Sequence, residues 1–293
     1  GLCHSHQACV PELLAELGMP WDGVSYKISG INHMAWLLEI SRNGEDLYPI
    51  IRKRAQEGPI YAPTLALREL HPEYADRIPS VAEQFTPDNH HDMVRFEIMK
   101  QFGYFVTESS EHSSEYYPWF IKKDHPELID RFHIPLDEYP RRCRDQIARW
   151  KQQAEHLVHN ENLTHTRSSE YAAGIIEALE TGRTFGFAGN VLNTGLIDNL
   201  PFDACVEVSC MVNEGHLSPC HMGPLPNQLA ALNRRQIEVH QLTVDAALTR
   251  KKEYIYQAAT LDPHAGSELT IDEIRSLVDD LIQAHGDWLP EYH

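Results

Sequence analysis

Cys3 and His33, in Gly1-Leu2-Cys3-His4-Ser5-His6 and Gly30-Ile31-Asn32-His33-Met34, bring one soft thiolate and one imidazole to a possible divalent-metal site. Two protein ligands would leave positions open for substrate oxygens and water, as a catalytic metal requires and a closed four-ligand site does not allow. On spacing alone the pair is weak evidence, because lone cysteines and histidines more often pack into a core. The local pattern adds to it. Ala8, Val10, Leu13, Leu14 and Leu17 recur at helical spacing up to Gly18, so Cys3 precedes a helix over 7–17. The free N–H groups and dipole at a helix N-terminus favour a thiolate there.

Other residues invite a chemical reading beside a structural one. Asp92 and Arg95, three apart in Asp92-Met93-Val94-Arg95, would share a helix face, either as a base with an orienting cation or as an ordinary exposed ion pair. His90 and His91 precede them and could help ring a site. His156, His159 and His165 form a third imidazole group, read as surface because helical His pairs seldom find further ligands. The polar, aromatic stretch 108–120 reads as site lining, although Glu108 alone reads equally as a solvated acid. Asn193 and Asp198 are read as turn formers.

Composition excludes several classes. A formal charge of −18, from 43 acidic and 25 basic residues, argues against a phosphate-backbone partner. No run of 18 apolar residues and no basic-then-apolar leader occurs, so the expectation is a cytoplasmic protein without a membrane partner. The 42% hydrophobic content suffices for a sizeable core, and six cysteines without a CxxC pair read as reduced thiols, Cys205 and Cys210 as strand packing.

The elements that must position these residues follow from periodicity. A strand is expected over 24–40, bent at Gly30 so that Asn32 and His33 point into a cavity. Helices are expected over 47–57, 93–102, 136–158, 168–179, 226–260 and 271–284, and strands over 104–107, 185–191 and 204–212. No linker interrupts them, so 1–293 reads as one unit. A start on Gly directly in a chemical motif suggests part of a longer enzyme.

Ordered segments along the whole chain resemble glycoside hydrolase family 4, specifically its α-galactosidase (melibiase) branch. They include Gly1-Leu2-Cys3-His4-Ser5, Gly30-Ile31-Asn32-His33-Met34-Ala35, Phe102-Gly103-Tyr104-Phe105-Val106-Thr107-Glu108-Ser109-Ser110-Glu111-His112, Pro118-Trp119-Phe120-Ile121-Lys122, Pro135-Leu136-Asp137-Glu138-Tyr139-Pro140, Gly195-Leu196-Ile197-Asp198-Asn199-Leu200-Pro201 and Ala284-His285-Gly286-Asp287-Trp288-Leu289-Pro290.

The resemblance implies a redox-assisted elimination in place of the usual two-carboxylate hydrolysis. NAD accepts a hydride from C3 of the sugar, the ketone acidifies the C2 proton, a base removes it, and the glycosidic oxygen leaves from C1; water adds and the hydride returns. It implies Cys3 and His33 as ligands of Mn2+ or another divalent ion, although a thiolate also suits zinc. His4 takes the place of the leaving-group acid, and His6 is read as a helix cap or a cofactor-phosphate contact. Asp92 or, in reserve, Tyr116 is the base. Asn32, Arg95, Glu111 and His112 are the substrate-binding candidates. The implied fold is α+β, a helix-rich domain around a mixed, mostly antiparallel sheet, like the C-terminal domain of lactate and malate dehydrogenases.

No strand, Gly-rich turn and helix is present to carry a pyrophosphate, so NAD is expected to bind an N-terminal domain absent from this chain. The chain would then supply the metal and sugar half of a small-α-galactoside hydrolase, alone possibly inactive, and the family's habit implies a homo-oligomer, a dimer or tetramer. Alternatives are an α-galacturonidase, an NAD-dependent 2-hydroxy acid dehydrogenase, and a sugar- or metal-binding remnant without turnover.

Overall fold

The computed structural model describes residues 1–62, 83–159 and 170–293. Its first element, α1 (Ser5–Glu16), follows Cys3 as the periodicity requires and buries Cys9, Val10, Leu13 and Leu14. The strand expected over 24–40 is instead a hairpin of β1 (Val24–Ile31) and β2 (Met34–Arg42). Ile31 pairs with Met34, so Asn32 and His33 form its tip, and His33 takes a φ of 62°. Gly30 does not bend a strand. It lies opposite Ala35, where an added Cβ would stand 2.7 Å from the Ala35 Cα and 2.9 Å from the Met34 carbonyl oxygen.

The short strand β3 (Glu45–Asp46) continues onto β2 and leads into α2 (Tyr48–Glu57). A separate two-stranded sheet pairs β4 (Ile60–Tyr61) with β5 (Gln84–Phe85). Then come α3 (Met93–Phe102), β6 (Phe105–Val106) on the other part of β2, and three helices, α4 (Ser110–Tyr116), α5 (Glu127–Arg131) and α6 (Glu138–His159). After α7 (Tyr171–Thr181), β7 (Phe185–Leu192) and β8 (Cys205–Asn213) form a second hairpin, extended by β9 (His216–Pro219). Residues 168 and 169 of the expected helix, and His165, lie outside the described residues.

The two hairpins join into a seven-stranded sheet of order β3-β2-β1-β8-β7, with β6 on β2 and β9 on β8; β1 and β8 pair at Gly30 and Glu207. Every pairing among the described residues is antiparallel, so the sheet is not mixed. Alternation along β2 sends Met34 and Trp36 to one core with Val106, Tyr117, Val208 and Leu229, and Ala35 and Leu37 to another with α1, α2 and Phe105. The same alternation buries Val206, Val208 and Cys210 but exposes Cys205, correcting its reading as packing. All six cysteines are free.

The helix expected over 226–260 is two: α8 (Asn227–Thr249) and α9 (Lys252–Leu261), separated by Arg250 in the left-handed region at φ 63°. The final α11 (Ile271–His285), after the single turn α10 (Ala265–Glu268), begins with a reciprocal Thr270–Glu273 cap. The fold is thus α+β, helix-rich around an antiparallel sheet. No helix among the described residues is long and apolar enough to cross a membrane.

Candidate active site

Three chain segments meet at the tip of the first hairpin. Cys3 enters from the residues before α1, His33 from the tip, and Glu108 from the link between β6 and α4. The Cys3 thiol, a His33 nitrogen and a Glu108 carboxylate oxygen all lie within 4.8 Å of one another. His33 Nε2 is 3.3 Å from Glu108 Oε2, while its Nδ1 is 2.9 Å from the Tyr116 hydroxyl. Thiolate, imidazole and carboxylate are a donor set suited to a divalent first-row ion, so the chain's own residues fit the implied metal.

Electrostatics agree with the donor chemistry. Partial burial pushes the Cys3 thiol up, but hydrogen bonding from His33, Ser5 and Asn32 outweighs it and brings the group down to about 6. Hydrogen bonding to Cys3 raises His33, with the Glu108 charge adding to it against desolvation. His112, on α4, stacks on His33 at 5.5 Å and 11° between ring planes and is itself held by Glu115, 3.1 Å from its Nδ1. His112 therefore packs against the His33 imidazole. Burial pushes the Tyr116 phenol up to about 12.

Cys3, Asn32, His33, His112 and Tyr116 are thus brought together. His4 is not part of this group: its Nε2 pairs with Glu170 at 2.7 Å, both side chains being more than half exposed. Nor does His6 cap α1. It is buried, driven down to about 3 by desolvation and so neutral, with its Nε2 3.4 Å from a Glu207 oxygen.

Asp92 and Arg95 occupy an adjoining cavity of about 530 Å³, which Glu111 also lines. Both are almost fully buried. Asp92 accepts from the Ser110 hydroxyl at 2.5 Å and lies 3.4 Å from Arg95, whose remaining donors reach the carbonyls of Val106 and Thr107. Most of that guanidinium's donors are taken up inside the protein, and its pairing with Asp92 is one of the two roles the sequence suggested for it. Glu111 faces Arg142 at 3.7 Å. His90 is buried against Phe96, accepts from the Asp92 backbone N–H, and is pushed down to about 4 by burial. Asn193 makes the turn expected of it, receiving the N–H groups of Leu196 and Ile197 and donating to the carbonyls of Ile197, Leu200 and Pro201.

Two acids gain their meaning only from the structure. Sequence reads Glu108 equally as a solvated acid and as a site residue, and its position after β6 is what singles it out. Glu207 sits in a strand read as packing, yet it is fully buried beside His6 and pushed up to about 8, first by burial and then by the Cys3 charge, against the neighbouring Asn32 amide.

Fold and side chains together make an antiparallel α+β domain with a cysteine–histidine–carboxylate cluster at a hairpin tip. The chain belongs to family 4 of the glycosyl hydrolases, whose C-terminal domain matches residues 28–265. It is 54% identical over 292 residues to an α-galactosidase of Bacillus subtilis, covering all of this chain and 61% of that protein. An α-galacturonidase of Lachnoclostridium phytofermentans is 25% identical over 92% of this chain and 55% of its own length. Among solved structures, a 6-phospho-α-glucosidase from gut microorganisms in complex with NAD and Mn2+ aligns with a TM-score of 0.68 at 19% identity, over all of this chain and 62% of that one. The chain therefore spans roughly three fifths of the relatives it matches.

Proposed function

We propose that the full-length protein carrying this chain is an α-galactosidase that acts on small α-galactosides with NAD and a divalent metal, Mn2+ foremost. The observation that carries this reading is the convergence of Cys3, His33 and Glu108; the 54% identity to an α-galactosidase supports the sugar. When bound, the metal supplies Lewis acidity toward sugar hydroxyls and NAD a reversible hydride acceptor.

The chain's own residues do the rest. Cys3 and His33, joined by Glu108, hold the metal, and His112 and Tyr116 orient the His33 ring, a fixed tautomer being what a ligand imidazole needs. Asn32, at the hairpin tip, binds the sugar. His4, next to Cys3 and paired with Glu170, gives the leaving-group oxygen its proton. Of the two bases, Tyr116 is favoured by its contact with His33, while one Asp92 oxygen accepts from Ser110 and the other lies 3.4 Å from Arg95. The cytoplasm and a homo-oligomer belong to the same proposal; the nearly bare Trp288 is a surface that association could cover.

The test is hydrolysis of p-nitrophenyl α-galactoside and the α-galacturonide by the full-length protein with NAD, Mn2+ and a thiol. Preference for the galactoside is expected. Preference for the galacturonide would overturn the substrate reading, and binding without turnover would leave only a sugar-binding protein. The internal commitment of Arg95 argues against its serving as a galacturonate carboxylate site.

A further inference from the structure

Glu207 breaks the alternation of β8. Val206, Val208 and Cys210 face one core, whereas Glu207 lies on the opposite face with Cys205 and Ser209, and it alone of those three is buried. Its carboxyl makes no close hydrogen bond among the described residues; what faces it is His6 Nε2 at 3.4 Å and the Asn32 amide, neither of which has a better partner. A carboxyl buried with only such weak contacts is costly, so its place in the sheet calls for an explanation.

Its neighbours supply one. Glu207 is the β8 residue that pairs with Gly30 of β1, where the two hairpins of the sheet join. His6 Nε2, in the first turn of α1, is 3.4 Å from one oxygen, and the Asn32 amide at the hairpin tip borders the same carboxyl. His6 stands three residues after Cys3, and Asn32 immediately before His33. One side chain thereby meets both segments that deliver the cysteine and histidine ligands.

We propose that Glu207 is a positioning residue of the metal centre: by holding the His6 turn and the Asn32 tip against β8, it fixes the separation of Cys3 and His33. This rests on the metal reading above. Outer partners of ligand residues commonly change metal affinity by about 10- to 100-fold.

The experiment compares Glu207→Leu and Glu207→Gln with wild type in the full-length protein, by Mn2+ titration followed by electron paramagnetic resonance and by the thiolate absorption band of bound Co2+. Thermal melting of the metal-free protein is measured alongside. Glu207→Leu is expected to weaken Mn2+ by about tenfold or more and to displace the Co2+ band, while its metal-free melt stays at or above wild type because a buried carboxyl without a close hydrogen bond has gone. Glu207→Gln keeps the shape and an acceptor and restores most of the affinity. Wild-type affinity and spectrum in both variants would overturn the proposal, as would a Gln variant as impaired as Leu. Should Glu207→Leu not fold, His6→Phe removes one of the two held segments; it should weaken Mn2+, and unchanged affinity there would overturn the proposal. A wild type that binds neither ion sinks the metal reading itself, and this inference with it.

Discussion

Replacing Arg95 with methionine tests the buried charge network beside the metal centre. The guanidinium lies over the Phe105 ring at 4.2 Å, and methionine keeps most of that packing. What disappears is the charge that faces Asp92 at 3.4 Å and Glu12 at 3.8 Å, with the donors to the Val106 and Thr107 carbonyls. Arg95 and Asp92 are each only 3% exposed, so solvent cannot take over the screening. Removing one partner of a buried pair costs about 3–5 kcal/mol because the other charge is left uncompensated. At about 2–4 °C per kcal/mol for a chain of this size class, the melting temperature should fall by roughly 6–20 °C. Removing both charges in Arg95→Met with Asp92→Leu should recover part of the loss, and the coupling is read from a double-mutant cycle of urea unfolding. A loss below about 1 kcal/mol, the worth of an exposed pair, would refute the buried-network account and return Arg95 to the role of an accessible substrate ligand.

Gly30→Ala should destabilise the protein by about 1–3 kcal/mol or more in urea unfolding, because the new methyl meets backbone, which cannot move aside as a side chain would. The pH dependence of stability has a defined sign. Burial and the Asp92 charge raise the buried Glu16, and hydrogen bonding to Glu16 raises its partner His91 despite desolvation, so both hold protons more tightly folded than unfolded. The contribution of this pair should therefore fall as pH rises from the ordinary carboxylate range through and above neutrality, and Glu16→Gln should remove that decline from melts taken between pH 5 and 9, measured against wild type. At pH 7 a thiol near 6 is mostly thiolate, whereas an ordinary thiol is thiolate only to a few per cent. Iodoacetamide should thus label Cys3 ahead of the exposed Cys205, with Mn2+ protecting it; peptide mapping that finds Cys205 first, or no protection, contradicts this.

Periodicity read α1, α3, α11 and the strands β7 and β8 well, because each shows its apolar face in its own residues. It merged two pairs of elements whose breaks use no glycine. The tip between β1 and β2 is Asn32-His33, and the break between α8 and α9 is Arg250, each with a non-glycine residue at positive φ that a pattern of apolar residues does not register. Cys3 and His33 were legible as candidate metal ligands through their type and segment. Glu108 and Glu207 were not, since a carboxylate in a polar loop or a strand becomes special only through what another part of the chain brings against it. For Arg95 the spacing from Asp92 was visible, but the carbonyls of Val106 and Thr107 that accept from its other donors were not.

The metal centre is tested most directly by Mn2+ titration of the full-length protein and of its Cys3→Ser and Glu108→Gln variants, with circular dichroism to establish that each is folded. The account predicts one tight site per chain in the wild type, its loss in Cys3→Ser and a weaker site in Glu108→Gln. Unchanged Mn2+ affinity in a folded Cys3→Ser variant would contradict it.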